Sequence, residues 1–319
     1  MKKIILGVLV SVFFVYLSLK GTTVQDVAGG LAKAAYLYIL PFLLTVFVMQ
    51  LMRAWRWGLI LSPLGRVGAL PLFAVTNVGF LAITALPARL GELCRPYLVA
   101  RVSPIGMPAA LGTVFVERML DGAAILTIAC IAVFFMPLPY GFIEASVIFF
   151  LIIFGLLSAI AFAIFRRDAA FGILASLAKV LPSKWEKSFH QAFHNFLDSF
   201  GIIVRGKRLY RILLLSYLIW FIDAFAIYIL FVAFNFHLSY VAAFVVMSIL
   251  IIGIALPTAP GFIGNWHYSC VLGLSIFNIP KTDALAFAVI YHFFSVAIVI
   301  ILGLAFLPFV KFSFADLYK

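Results

Sequence analysis

Long apolar stretches alternate with short polar connectors along this chain, and the length of each stretch predicts how it meets a membrane. A helix needs about 20 apolar residues to cross the roughly 30 Å hydrocarbon core of a bilayer. Ile4–Leu19 is predicted to be a retained first helix, with a cleaved signal peptide as the alternative. With it, about six full spans are predicted, the others being Tyr36–Leu61, Ala109–Met136, Phe142–Phe165, Leu209–Phe234 and Asp283–Val310.

Two further apolar stretches are too short to cross the bilayer, and each ends at a proline. Pro71–Leu86 stops at Pro87, and Leu238–Leu256 stops at Pro257. Proline lacks a backbone N–H and clashes with the preceding turn, so it breaks a helix. A short helical pattern resumes after each break. We therefore predict two re-entrant hairpins, at 71–101 and 238–277.

Basic residues predict the orientation, because positively charged loops stay on the cytoplasmic side of a membrane. The longest basic segment, 166–208, carries aromatic residues at helical spacing, which predicts an amphipathic helix on the membrane surface. This rule places both chain termini on the cytoplasmic side of a cell (inner) membrane. The first hairpin then enters from the cytoplasm and the second enters from outside.

The two hairpins and the helices that follow them share a pattern. Ala85-Leu86-Pro87 matches Ala255-Leu256-Pro257, and Ala110-Leu111 matches Ala284-Leu285 further along. Because the two copies enter from opposite sides, we predict an inverted repeat within one transmembrane domain, 1–319. Repeat one covers about 36–136 and repeat two about 209–310. Inverted repeats underlie alternating access in many transporters, with broken helices meeting near the bilayer midplane.

Composition agrees with an all-α polytopic membrane protein. Apolar residues make up 66% of the chain and charged residues only 11%, against about 25% charged in soluble domains. The net charge of +12 comes from basic residues gathered in a few loops, so it does not indicate nucleic-acid binding. The three cysteines lack a CxxC spacing and are interpreted as buried apolar residues.

Ionisable residues interrupt this apolar chain between Ala85 and Asp121. Each costs on the order of 2.5–3.5 kcal/mol at the bilayer centre, so such residues normally face protein or a wet cavity. The backbone N–H groups freed at the first break favour an anion, and arginine matches phosphate with a bidentate fork. The candidate substrate-binding residues here are Arg89, Glu92, Arg95, Glu117, Arg118 and Asp121, with Arg101 less closely placed.

The second break carries fewer charges. Its turn is predicted from Pro257, Pro260, Gly261 and Gly264, which cannot continue a plain helix. The polar residues expected to face it are Asp223, Asn265, His267, Tyr291 and His292. At both breaks two interpretations stay open: a structural network of hydrogen bonds and ion pairs, or a site that opens to bind a head group. Arg53 and Arg56, beside two tryptophans, are interpreted as an aromatic-basic belt where the second span leaves the bilayer.

Three segments of the sequence resemble the lysylphosphatidylglycerol synthase transmembrane-region family, also called the flippase-like domain family. They are LPARLGELCRP, ALGTVFVERMLD and PTAPGFIGNWHY, and the resemblance runs from about Tyr36 to Val310. The first two together are specific, whereas the third is weaker alone but falls at the expected place. The resemblance implies that the chain is a lipid translocase. By the matching motifs it also implies site residues at both breaks: Arg89, Glu92, Arg95, Glu117, Arg118 and Asp121 at the first, and Pro257, Pro260, Gly261 and Gly264 at the second.

The chain departs from that family in two ways. It lacks the soluble aminoacyl-transferring domain of some relatives, so it is not expected to make an aminoacylated lipid. It also has Asn265-Trp266-His267 and His292 where many members show an acidic residue and an arginine. The identity of the head group is therefore left open by the resemblance.

The predicted function is a flippase that moves a polar- or anionic-headed lipid between leaflets through a midplane site at the two breaks. Its expected partners are the membrane lipid and a separate lipid-synthesising enzyme, with no cofactor, metal or nucleic acid. No GxSxG elbow or glycine-rich phosphate loop indicates an enzyme. The alternatives are a membrane-embedded head-group enzyme using Glu117, Asp121 and His267, a small-solute transporter, or a passive scaffold.

Overall fold

Helices make up the secondary structure of the part of the chain that the computed structural model describes, and no strand occurs there. That part is residues 2–86, 91–135, 207–255 and 259–310, with scattered positions between 144 and 172. Numbered over the four ranges, the α-helices are α1 (Lys2–Leu19), α2 (Val24–Ala32), α3 (Ile39–Leu61), α4 (Ala69–Ala85), α5 (Cys94–Val102), α6 (Met107–Phe135), α7 (Lys207–Ala233), α8 (Tyr240–Ala255), α9 (Asn265–Ser275) and α10 (Lys281–Phe306).

Three of the described helices are long and apolar enough to cross a membrane, and they agree with three of the predicted spans. They are Tyr36–Leu61, Arg208–Ala233 and Lys281–Val310, each counted with its flanking turn. α1 and α2 meet the same test only as a pair, which bends by 74° between them. Predicted span 142–165 is described only at scattered positions, and loop 166–208 lies almost wholly outside the described residues, so the total of about six spans stays a prediction.

The short polar stretch between the first two apolar runs is largely helical, since most of it forms α2. The Thr23 side chain accepts a hydrogen bond from the Asp26 N–H, and the Asp26 carboxylate accepts one from the Thr23 N–H. This capping box satisfies backbone donors at the start of the helix that otherwise have no partner. These polar residues are therefore the start signal of a helix.

Each predicted hairpin contains a short apolar helix followed by a shorter one. α4 has 17 residues and α8 has 16, and both are apolar. α5 has 9 residues and α9 has 11, which at about 1.5 Å per residue is far short of a bilayer. α5 packs on α4 and α9 packs on α8. Pro87 and Pro257, predicted to cause the two breaks, lie outside the described residues.

Small residues let the helices of each hairpin approach closely. A Cβ atom at Gly79 of α4 would overlap the Arg95 side chain of α5, and one at Gly253 of α8 would overlap the Ser269 side chain of α9. In both pairs the two residues are 16 positions apart. The glycine of each first helix thus makes room for a polar side chain of the second.

The long helices and the first helix of each hairpin pack in matching pairs. α3 packs along α7 in the opposite direction, since the Ala35 N–H donates to the Ala233 carbonyl at 2.8 Å while Arg56 near the other end of α3 reaches Ser216. α4 packs on α10, and α8 packs on α6. These pairs are symmetric. If α3, α4 and α6 are taken as equivalent to α7, α8 and α10, the pair α4–α10 corresponds to the pair α8–α6, and α3–α7 corresponds to itself.

Two apolar cores flank the ionisable residues. One joins the first half of α3 to α7, α8, α9 and α10, around Phe42, Phe231 and Phe287. The other joins the second half of α3 to α4, α5 and the first half of α6, around Trp57 and Leu98. The charged part of α6 lies between them, so its side chains are enclosed by protein on both sides.

We predict that Gly79→Ala lowers the thermal unfolding temperature of the protein purified in detergent. The added methyl group meets Arg95, so we expect a loss of about 1–3 kcal/mol, as for other overpacked sites. Gly29→Ala is the matched control, because nothing lies within 4 Å of a Cβ at Gly29 in α2. It should gain about 0.5–1 kcal/mol by removing a helical glycine. Equal unfolding temperatures for the two variants would contradict this packing.

Candidate functional site

Arg56 lies at the centre of the charged cluster, and its interpretation as part of an interfacial belt is wrong. The side chain is only 1% exposed. Its Nη1 donates to Asp121 Oδ1 at 2.6 Å and to Ser216 Oγ at 3.0 Å, and its Nη2 donates to Glu117 Oε1 at 3.0 Å. Arg56 therefore links α3 to α6 and α7 inside the protein.

Glu117 of α6 is shared by three arginines. Besides Arg56, its Oε1 accepts a hydrogen bond from Arg118 Nη2 at 3.3 Å. Its Oε2 lies 3.0 Å from Arg95 Nη1, in a buried ion pair. The Glu117 side chain is fully buried. A buried carboxylate is stable only when such partners compensate for the lost water.

Asp121 follows Glu117 by one helical turn and holds the other side of the cluster. Its Oδ1 accepts hydrogen bonds from Arg56 and, at 3.3 Å, from Trp220 Nε1 of α7. Its Oδ2 lies 3.5 Å from Arg118 Nη2. The cluster has five charged side chains, and Arg118 is the most exposed of them, at 35%. The other four are Arg56, Arg95, Glu117 and Asp121. The cluster therefore meets its surroundings through Arg118.

Arg95 reaches the cluster from α5, the helix after the first break. Its guanidinium lies over the Trp57 ring, 4.1 Å from the ring centre, and the Trp57 Nε1 donates to Thr113 Oγ1. Such cation–π stacking fixes the plane of the guanidinium. Among the described residues, Arg95 Nε and Nη2 have no hydrogen-bond acceptor. Within the described ranges these two donors of a buried arginine are unpaired.

A polar chain extends from the cluster along α3 and α4. Gln50 donates to Asn77 Oδ1 at 3.1 Å, and its Oε1 accepts from Arg53 Nη1 at 3.1 Å. Arg53 also lies over the Phe80 ring. Asp223, another predicted site residue, is half-buried on α7.

The second break is built from a glycine turn with positive φ angles and from aromatic side chains. Gly261 and Gly264 have positive φ angles of 71° and 94°, which glycine adopts without penalty. The His292 Nε2 lies 2.6 Å from the Gly261 carbonyl oxygen, and the His267 and His292 rings are 4.8 Å apart. These contacts bring α9 and α10 together at the turn.

Some of the other polar side chains at the second break have hydrogen-bond partners. Asn265 donates to the Gly253 carbonyl at 3.0 Å and so ties α9 to α8. Tyr291 is buried and packs edge-on against Trp266 and Phe42. Trp266 Nε1 is buried with no acceptor among the described residues. The described part of the second break therefore carries hydrogen-bonding groups but little charge.

The first helix closes over the second break. Ser11 Oγ of α1 accepts a hydrogen bond from the Ala259 N–H at 2.9 Å. A Cβ at Gly264 would overlap the Ser11 carbonyl oxygen, so only glycine permits this approach. At the end of α1, Lys281 Nζ donates to the Leu17 and Lys20 carbonyl oxygens. α1 is thus fastened to the turn in the middle of the second hairpin and to the start of α10.

The structure brings together most of the residues that the sequence singled out. Arg95, Glu117, Arg118 and Asp121 form one cluster, and His267, Tyr291 and His292 gather at the second break with Asn265 and Gly261. Arg101 is exposed at the end of α5, beside Tyr97. Pro260 lies exposed in the turn. Glu92 is half-buried in the short turn before α5, whereas Arg89 lies outside the described residues.

Sequence reasoning missed Arg56 and its neighbours Ser216, Trp57 and Trp220. The polar or amphipathic side chains spaced through apolar spans were the available signal, because each needs a partner when buried. Within the described ranges no group of three or more His, Cys, Asp or Glu side chains has a metal-binding arrangement.

Comparison with known proteins identifies relatives along nearly the whole chain. A family model described as the lysylphosphatidylglycerol synthase TM region matches residues 4–303, which includes α1. A UPF0104 membrane protein of Methanothermobacter thermautotrophicus is 24% identical over 310 residues, covering 91% of this chain and 90% of the relative. A UPF0104 membrane protein of Methanocaldococcus jannaschii is 23% identical over 276 residues, covering 83% and 82%.

We predict that Arg56→Gln destabilises the purified protein by about 3–5 kcal/mol, because removing one partner of a buried ion pair leaves the other charge uncompensated. Thermal unfolding in detergent measures this loss. Arg101→Gln, at an exposed arginine, should change stability by no more than about 0.5 kcal/mol.

A double variant tests whether the loss comes from the ion pair itself. Arg56→Gln combined with Asp121→Asn should lose clearly less stability than the two single variants added together, since the residues share one network. An Arg56→Gln variant that unfolds at the wild-type temperature would show that the cluster does not hold the helices together.

Proposed function

Because the chain belongs to the lysylphosphatidylglycerol synthase TM region family, we propose that this multi-pass α-helical membrane protein moves a polar-headed lipid between the two leaflets. The observation that carries the proposal is the buried cluster around Glu117, which joins α3, α5, α6 and α7. Ionisable groups at membrane depth are expensive and mark substrate pathways. Here they lie beside a hairpin whose helices are too short to span.

The helix contacts support a transporter built as an inverted repeat. The exchange of α3, α4 and α6 for α7, α8 and α10 preserves the pattern of packing. The equivalent helices α3 and α7 run in opposite directions, as the two copies of an inverted repeat must. The Gly79–Arg95 and Gly253–Ser269 pairs repeat one packing device in both hairpins. On this proposal the two breaks face each other and open alternately.

We propose that the cluster binds the head group by exchanging partners. Arg118, the most exposed member, meets the lipid first, and Arg95 then offers its open Nε and Nη2 donors. Arginine binds phosphate through two parallel hydrogen bonds. Glu117 holds the arginines in place before the lipid arrives and keeps them from repelling one another. The lipid tail stays in the bilayer while the head group passes through the protein.

The proposal places the protein in a cell (inner) membrane with both termini in the cytoplasm. It moves the lipid without changing it chemically, so a separate enzyme attaches the head group. Mass spectrometry of lipid extracts separates these roles. A deletion strain should keep every lipid species and change only its exposure on one leaflet, whereas loss of a species would favour the head-group enzyme.

We predict that vesicles containing the purified protein move acyl-labelled phospholipids, measured by quenching the label that reaches the outer leaflet. Glu117→Gln should slow this movement at least about tenfold, since truncating one partner of a buried charge pair costs about 2–5 kcal/mol. Arg118→Gln should also slow it, and its partial exposure favours normal folding.

Asp283→Asn is the matched control for the vesicle experiment. Asp283 pairs with the exposed Lys33 at 3.6 Å, away from the cluster, and such exposed pairs contribute at most about 1 kcal/mol. This variant should keep the wild-type rate. If wild type, Glu117→Gln and protein-free vesicles all give the same rate for every lipid tried, the proposed function is wrong.

A further inference from the structure

Asp223 places a carboxyl group near the middle of a membrane-spanning helix. It belongs to α7, whose apolar stretch Arg208–Ala233 has its midpoint between Trp220 and Phe221. At 1.5 Å per residue, Asp223 is about 4 Å from that midpoint. An ionised carboxylate is expensive at this depth, and such residues commonly belong to proton relays in pumps and transporters.

The Asp223 carboxyl group has no hydrogen bond or ion pair within the described parts of the chain. In this it differs from Glu117 and Asp121, which are both paired with arginines. An acidic group taken out of water without a partner is neutralised by binding a proton, because the neutral acid avoids the cost of a desolvated charge. The position of Asp223 therefore favours a group that gains and loses a proton.

Asp223 lies on the inward face of α7, although its side chain is only half-buried. Residues three or four positions away are its neighbours on the helix surface. These neighbours are all buried: Ile219, Trp220, Ala226 and Ile227. The accessible surface of Asp223 therefore faces an opening between helices rather than the lipid. Through such an opening, water brings a proton to the carboxylate and removes it again.

The charged residues on two helices packed against α7 have partners of their own. Arg53 of α3 carries the opposite charge to an ionised Asp223, but its Nη1 donates to Gln50 Oε1 at 3.1 Å. On α6, Arg118 and Asp121 pair with each other within the cluster, at 3.5 Å. Asp223 is thus surrounded by charge without being fixed in the ionised form by an ion pair.

The ionisable neighbours of Asp223 on α8 and α10 are two tyrosines, Tyr240 and Tyr291. The Tyr240 hydroxyl donates to the Phe221 carbonyl oxygen at 2.6 Å, and the buried Tyr291 ring packs edge-on against Phe42. In the described ranges, no group of three or more side chains is arranged to hold a metal ion. Hard metal cations take several oxygen ligands, whereas a single carboxylate suffices for a proton.

Asp223 is connected to the ion cluster along one face of α7. Trp220 lies one turn before it and donates to Asp121 Oδ1 at 3.3 Å, and Ser216 lies one turn further back and accepts from Arg56. Residues at these spacings are neighbours on a helix. An ionised Asp223 places a like charge on the side of α7 that meets an anionic head group. Protonation removes that charge and favours the loaded protein.

We propose that Asp223 binds a proton that crosses the membrane together with the lipid. This inference rests on the proposed translocation and adds the force that drives it. The carboxylate takes a proton from water on one side and forms an O–H bond. That bond breaks on the other side, and the proton returns to water there. The protein changes state more readily with the neutral acid, because no unpaired charge then crosses the bilayer.

Vesicles that contain the purified protein and a trace of acyl-labelled phosphatidylglycerol test the coupling. A difference of about two pH units is imposed while potassium and valinomycin hold the membrane potential at zero, and quenching measures the label in each leaflet. With an acidic interior, we expect at least about threefold more label in the outer leaflet. The upper limit for one proton per lipid is about a hundredfold, the ratio of proton activities. Reversing the gradient should reverse the favoured leaflet.

Variants locate the proton in the protein. Asp223→Asn should leave the label equal in the two leaflets under either gradient, because an amide does not release a proton. Asp223→Glu displaces a carboxyl group that still titrates, so the asymmetry should survive with an altered dependence on pH. Asp283→Asn, at the exposed pair with Lys33, is the matched control and should keep the wild-type asymmetry.

A second measurement reads the proton itself. With no pH gradient, phosphatidylglycerol added to the outer leaflet should acidify the interior of wild-type vesicles, as reported by a trapped pH-sensitive dye. Asp223→Asn and protein-free vesicles should give no such signal. Thermal unfolding in detergent shows whether Asp223→Asn is folded. If it is not, Asp223→Glu replaces it, and an unchanged dependence of the asymmetry on pH would overturn the inference.

The outcomes separate this inference from the proposed function. A wild-type protein that moves the label but leaves it equally distributed under both gradients would overturn the inference alone. An asymmetry shared by a folded Asp223→Asn variant, or one that follows a sodium gradient at equal pH, would do the same. Label that gathers in the leaflet on the acidic side would also contradict a shared direction for proton and lipid. Absence of any protein-dependent movement would overturn both proposals.

Discussion

The compensation of Glu117 by arginines from three places in the chain is the interaction on which the rest of the structure depends. A bare carboxylate at this depth would be too costly to keep, so α3, α5 and α6 must all be in position before the charge is stable. The same bonds that hold the helices together therefore fix the geometry of the site. Buried ion pairs of this kind add little net stability, but breaking one is strongly destabilising. The arrangement of helices that keeps every pair intact is therefore strongly preferred over slightly shifted arrangements.

The two breaks differ in chemistry although the helices around them pack alike. The first is dominated by arginines and carboxylates, and the second by histidine, tryptophan and backbone groups of a glycine turn. On an alternating-access scheme this difference means that a head group meets strong charge on one side and weak, neutral hydrogen bonds on the other. A substrate held too tightly at both would not be released.

Several elements were predictable from the sequence because a single local rule decides them. Runs of apolar residues long enough to cross a bilayer gave α3, α7 and α10, and the short runs before Pro87 and Pro257 gave α4 and α8. Glu117 and Asp121 were found because charge in an apolar helix stands out. The Thr23–Asp26 capping box is a local signal of the same kind, since Thr followed three residues later by an acidic residue marks the start of a helix.

The partners in the cluster were not predictable, because they depend on which distant helices meet. Arg56 stands beside tryptophans near the end of a span, where a membrane-interface belt and a buried site have the same local pattern. Only the packing of α3 against α6 and α7 separates the two. The role of Gly79 was unpredictable for the same reason. Nothing in the sequence around it indicates that the Arg95 side chain packs against it.

On the proposed alternating-access scheme, the attachment of α1 to the second hairpin makes the N-terminal helix part of the moving machinery. Ser11 holds the backbone at Ala259, and Lys281 caps the far end of α1, so on that scheme the two elements move as one body. A motion that opens the second break must either carry this helix through the lipid or release both ends of it. The viscosity and thickness of the surrounding bilayer therefore act directly on that half of the protein, through a helix that contributes nothing to the ion cluster.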